Sequence, residues 1–174
     1  LDEANIASDY PPAERAAIAH QVGIAALKFG DLHSNRASDY VFDVERFSSF
    51  EGKTGPYLQY ASVRIRSLLR KAAEKDLGQA KILSPVVEPE RLLMLHLLRL
   101  PEVVERAVDL RAPNHVAEYS FDLAGAFNRF YDACHVLSES DTARRGGWLA
   151  LCQLTLDSLT RLLDLLGIEV PERM

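Results

Sequence analysis

Two tyrosines, an arginine and a lysine along one stretch are the residues of this sequence best suited to hold an aromatic, anionic ligand. Between Pro56 and Lys75 the chain sets Tyr57, Tyr60, Arg64 and Lys71 at intervals of three, four and seven residues. At ~100° per residue, these four side chains fall within about 60° of one another on a helix. The same stretch carries five basic residues (Arg64, Arg66, Arg70, Lys71, Lys75) against the single acid Glu74. A tyrosine ring offers a face on which a base can stack, and a guanidinium offers a fork for phosphate or a second stacking plane. Interleaved on one helix, the two residue types suit an unpaired RNA base. They equally suit an ordinary bundle helix, with amphipathic tyrosines at a core boundary and arginines on a solvated face. Spacing alone leaves both accounts open.

Two further features bear on the same chemistry. In Phe127-Asn128-Arg129-Phe130-Tyr131, Phe127 and Tyr131 share a helical face with Cys134 and with Leu123 or Ala124. Most of that face is core, with Tyr131 at its margin where the ring can enter a pocket. The chain closes on Ile168-Glu169-Val170-Pro171-Glu172-Arg173-Met174, a stiff proline turn ending in a thioether that can lie against a base or fill a gap.

Other chemistries lack their residues. Gly52-Lys53-Thr54 ends like a phosphate-binding loop, but the required glycine five positions earlier is Phe47, so a surface turn is expected. The five histidines do not cluster at metal-ligand spacing. Cys134 and His135 are adjacent and point about 100° apart on a helix, while Cys152 suits a small apolar packing role. No zinc site is expected. Asp157 and Asp164 lie seven apart, as a solvated stripe does, and no serine sits in a nucleophile elbow. No catalytic centre is visible in these residues.

The elements that must position the tyrosines are helical throughout. In 174 residues, 48% are hydrophobic and 26% charged, which excludes disordered and collagen-like chains and provides for a sizeable core. Two cysteines do not make a disulfide scaffold. No apolar run approaches the ~18 residues of a membrane span, and no secretory leader is visible, so a cytoplasmic, membrane-free setting is expected. The net charge of −5 argues against indiscriminate coating of nucleic acid and leaves room for a local basic stripe. Leu1–Ala7 reads as the end of a helix, and Pro11-Pro12 opens another that carries residues 16–28 and stops at Gly30. An extended connector over Asp31–Asp43 leads to a short helix over 43–50. Pro56, Pro89 and Pro101 each open a helix, and Asn114 is expected to cap one reaching about His135. The last helix, 142–166, is apolar almost all round, as a buried central helix is. The fold class is all-α, a helical bundle.

Several stretches taken in order carry a resemblance. They are 22–29 (Val-Gly-Ile-Ala-Ala-Leu-Lys-Phe), Asp39-Tyr40-Val41-Phe42-Asp43, the run from Phe50 through Gly52, Thr54, Pro56, Tyr57 and Tyr60 to Ala61, then 127–134, Leu165-Leu166-Gly167-Ile168 and the Pro171-Glu172-Arg173-Met174 ending. Together they resemble the C-terminal part of the arginyl-tRNA synthetase family, class I enzymes, over essentially all 174 residues. The resemblance implies connecting helices over 1–50 and an all-helical anticodon-binding domain of the DALR type over 51–174. It implies arginine tRNA as partner, with the catalytic domain of the same polypeptide, and no DNA. In the family, arginine is joined to its tRNA using ATP and magnesium on a domain with HIGH-type and KMSK-type motifs. Neither motif occurs here, so these residues alone are expected to be inactive and to need no cofactor. Carried over by matching position, Tyr57, Tyr60, Arg64, Tyr131 and Met174 are the tRNA contacts; Lys71 has no such support and is at most a phosphate contact. The loop from Ser49 to Thr54 resembles a mobile loop that links tRNA docking to the catalytic side. Gly55, where alanine is usual, is expected to loosen it. A helical protein-interaction module derived from a synthetase is the alternative.

Overall fold

The computed structural model describes residues 10–41 and 43–174. The helix expected over Leu1–Ala7 and Phe42 of the expected connector lie outside them. Among the described residues there are seven α-helices and no strand: α1 (Pro12–Leu32), α2 (Val44–Ser48), α3 (Gly55–Glu74), α4 (Glu88–Leu98), α5 (Leu100–Leu110), α6 (Asn114–Ala133) and α7 (Thr142–Leu165), with one 3-10 turn at Val136–Ser138.

Helix α3 is the axis on which the tyrosines are mounted. Thr54 caps it, its Oγ1 accepting from Tyr57 N at 3.1 Å, and Pro56 sits in the first turn where no N–H is needed. Leu58, Ala61, Ile65, Leu68 and Ala72 form its buried stripe, packed among Leu123, Phe127 and Phe130 of α6 and Leu159 and Leu163 of α7. Asp141 caps α7, accepting from Ala143 N and Arg144 N. Most of α7 is buried, as its composition demands, but Leu154 and Leu165 are exposed along a groove shared with α4 and α5. Helices α4 and α5 run almost head to tail. Pro101 cannot donate to the turn before it, so one helix ends at Leu98 and the next begins at Leu100, with Arg99 between them.

Three sequence expectations give way. Helix α1 runs through Gly30 to Leu32, because Gly30 falls on the buried face with Ala26 and Phe29. Asn114 is the first residue of α6 and not its cap; the backbone carbonyls of Ala112 and Pro113 take the N–H groups of His115 and Val116, so no side-chain cap is needed. Gly55 does not loosen the loop before α3. It is buried against α1, where a Cβ would stand 2.2 Å from Ala25 O, so the missing side chain lets the two helices close on each other.

Candidate nucleic-acid interface

The tyrosine–arginine stripe lies at the seam between α3 and α6. The Arg64 guanidinium is centred 4.2 Å from the middle of the Tyr131 ring, a cation–π stack that joins two positions the sequence separates by a whole helix pair. Arg64 Nη1 also donates to Asn128 Oδ1 at 3.5 Å, and Asp132 lies 4.0 Å from Nη2. Asn128 Nδ2 in turn donates to the Tyr57 hydroxyl at 2.9 Å. One amide thus bridges Tyr57 and Arg64 and fixes both against α6. The Tyr57 ring is half-buried and tilted on Phe121, with 5.4 Å between centroids.

Tyr60 stands apart from this network. It is 46% exposed, and no hydrogen bond or ring contact holds it among the described residues. Its ring faces are open to solvent. Lys71 is exposed two turns beyond Arg64 with no ion-pair partner among the described residues. Arg66 lies on another side of α3 and holds the C-terminal tail, donating to Val170 O at 3.2 Å and Pro171 O at 2.7 Å, with Glu172 at 3.5 Å.

That tail carries Met174 away from the Arg64–Tyr131 stack. Gln59 and Arg66 point roughly opposite to Tyr57 and Arg64 on α3, and Gln59 Nε2 donates to Glu169 O at 2.7 Å. Arg173 then forms a two-bond fork with Glu14 of α1, at 2.7 and 2.9 Å, and lies over the Tyr10 ring. The hydrogen bond from Arg173 holds the Glu14 carboxyl below the usual carboxylate range. Met174 ends against Ile18 and Val22 of α1, with Tyr10 and Phe50. The structure therefore brings Tyr57, Arg64 and Tyr131 together, leaves Tyr60 open between the two sides, and seats Met174 on α1.

The loop before α3 is fastened at two points. Thr54 Oγ1 donates to Ser49 O at 2.5 Å, and Lys53 pairs with Glu118 of α6 at 2.5 Å while lying over Phe121. Gly52-Lys53-Thr54 is a helix cap with a committed lysine. Among the described residues no three His, Cys, Asp or Glu side chains converge on a metal position. Cys134 and Cys152 are buried and free, and burial pushes their thiols up to about 11 and about 12. Residue types alone do not single out Asn128. Its only signal is an amide in mid-helix one turn before Tyr131.

Among the described residues, a strand-free bundle carrying aromatic and guanidinium groups along one helical seam defines an all-helical domain. The model of the DALR anticodon binding domain matches residues 58–174, and the chain belongs to this family. It is 49% identical over its full length to an arginine–tRNA ligase of Maricaulis maris and 46% identical over 94% of its length to one of Alkaliphilus oremlandii. It spans only 29% and 28% of those two proteins. Among solved structures, it resembles the arginyl-tRNA synthetase of Thermus thermophilus with a TM-score of 0.84 and 37% identity, covering 96% of this chain and 29% of that one. The Plasmodium falciparum arginyl-tRNA synthetase is similar at 0.78 and 28%, over 91% and 28%. No helix among the described residues is long and apolar enough to cross a membrane.

Proposed function

We propose that this chain seats the anticodon loop of an arginine tRNA on α3 and reads its unstacked bases. The whole protein would then be an arginine–tRNA ligase, with residues 1–50 connecting the catalytic part to a reading part over 51–174. The observation that carries this is the exposed Tyr60 ring one turn before Arg64, whose guanidinium is already stacked on Tyr131. Tyr60 lies between the two sides of α3 in helical angle. A loop seated on Tyr60 has the Tyr57–Arg64–Tyr131 group on one flank and the Met174 end on the other. Lys71 extends the track as a phosphate contact. The described residues do not fit ATP or magnesium: Lys53 is paired with Glu118, and no three acids, histidines or cysteines converge among them, so no step through either is assigned to this chain.

Arg64→Ala tests the arrangement. Removing the guanidinium is expected to weaken tRNA binding by roughly fivefold to tenfold and to lower the slope of log affinity against log salt by about one. Binding titrations across a salt series measure both. An unchanged slope would mean that Arg64 does not meet phosphate.

A further inference from the structure

A second opening flanks the Tyr57–Arg64–Tyr131 group, between α4 and α6, with a volume of about 560 Å³. That is within the range of small-molecule sites and well above what one ordered water fills. Asp122, Gly125 and Arg129 follow one another on a single face of α6 and line it, since steps of three and four return to the same side of a helix. Asp122 and Arg129 reach solvent, and neither side chain has a hydrogen-bond or ion-pair partner among the described residues. Tyr57 and Phe121 supply an aromatic wall, and Asn128 pins the Tyr57 hydroxyl. From α4, His96 completes the lining; its Nδ1 is buried with no partner, and burial lowers its pKa, favouring the uncharged ring.

An aromatic wall, an acceptor-only carboxylate and a donor-only guanidinium around one opening select a planar ligand that offers both donors and acceptors. A simple anion would meet the Asp122 carboxylate, and a simple cation the Arg129 guanidinium. A base with an exocyclic amino group and ring or carbonyl acceptors satisfies both: its amine donates to Asp122, and Arg129 donates to its acceptors. Adenine, cytosine and guanine have such an edge, whereas uracil has no amino group.

We infer that the cleft lined by Tyr57, His96, Asp122, Gly125 and Arg129 is a second nucleotide pocket, taking an amino-bearing base (adenine, cytosine or guanine) of the RNA loop next to the base proposed to stack on Tyr60. This rests on the function proposed above, because Tyr57 is one turn from Tyr60 and the same strand would reach both. The pocket adds a hydrogen-bonding subsite to a stacking site and would contribute base discrimination that Tyr60 cannot supply.

Gly125 makes the pocket testable. A Cβ there meets only Arg129 Nη1, at 3.6 Å, an ordinary contact, so larger side chains can be grown into the opening from an intact helix. The anticodon stem–loop of an arginine tRNA is titrated into the 174-residue chain, as is a series in which each unpaired adenine, cytosine or guanine is replaced by uracil. Gly125→Leu is expected to weaken binding roughly tenfold, with Gly125→Ala within about twofold of the unsubstituted chain. In the uracil series, one replacement should cost the unsubstituted chain about tenfold, and Asp122→Asn should abolish that cost. The Asp122→Asn arm decides the question even if leucine disturbs the helix. Undiminished binding by a folded Gly125→Leu, or intact discrimination in Asp122→Asn, would overturn the pocket. Equal competition by adenosine, cytidine or guanosine monophosphate would assign it to a free nucleotide and overturn the RNA assignment. If Tyr60→Ala loses affinity and the pocket variants do not, the pocket alone is refuted; if the unsubstituted chain does not bind the stem–loop, the proposed function fails and the pocket with it.

Discussion

Tyr60→Ala is expected to weaken arginine tRNA binding by about tenfold or more while leaving the melting temperature within a degree or two. The two effects separate because the ring is half in solvent and unheld. Its removal exposes no core and leaves no buried polar group without a partner, and alanine is the better helix former, so the stability change stays within about 0.5 kcal/mol. Binding is another matter. A base stacked on an aromatic side chain contributes about 1–3 kcal/mol, which is roughly fivefold to more than a hundredfold in affinity. Tyr60→Phe keeps the stacking face and should bind within about threefold of the unsubstituted chain. Titration with arginine tRNA beside a thermal melt measures both quantities. Equal binding by the alanine variant would remove Tyr60 from the interface.

The largest effect on stability is expected at Glu90. It is 2% exposed, with Oε1 accepting from Trp148 Nε1 and Oε2 from Val86 N, each at 2.9 Å. One carboxyl thus ties the first turn of α4 to α7 and to the end of the non-helical segment between α3 and α4. Glu90→Ala leaves the indole N–H and the Val86 N–H without their acceptors and opens a void beside Trp148. About 2–4 kcal/mol should be lost, lowering the melting temperature by roughly 6–12 °C for a chain of this size. Glu90→Gln retains one acceptor but presents an amide NH2 to one of the two donors, so about half that loss is expected. Below the transition, the affinity for tRNA should not change, since neither partner of Glu90 lies in the α3–α6 seam. A melt within about 2 °C of the unsubstituted chain would contradict this role for the anchor.

The helices, their order and the outward stripe of α3 are legible in the sequence because they are local properties. Periodicity and proline openings act within a few residues. Tyr60 is legible for the same reason: its distance from the buried stripe follows from helical angle alone. Contacts that join distant segments are not. From spacing alone Arg64 reads equally as a solvated arginine and as a ligand contact until α6 brings Tyr131 beneath it, and Asn128 acquires a role only when Tyr57 and Arg64 arrive on either side. Met174 carries no local signal for its seat on α1, which depends on Arg66, Gln59 and the Arg173–Glu14 fork drawing the tail across α3. Glu90 is masked by a second explanation, since an acid in the first turn of α4 is already favoured by the helix dipole. Gly55 misleads because a glycine after a loop resembles a flexible joint, and only the position of Ala25 reveals a close approach.

The central claim is that α3 reads bases and does not merely attract a polyanion. Its most direct test is a titration of the chain with arginine tRNA and with the same tRNA bearing a substituted middle anticodon base, at one fixed salt concentration. A loss of about tenfold or more on substitution is predicted, as a specific base contact requires. Equal affinity for the two tRNAs would contradict it and leave a helical protein-interaction module as the better description.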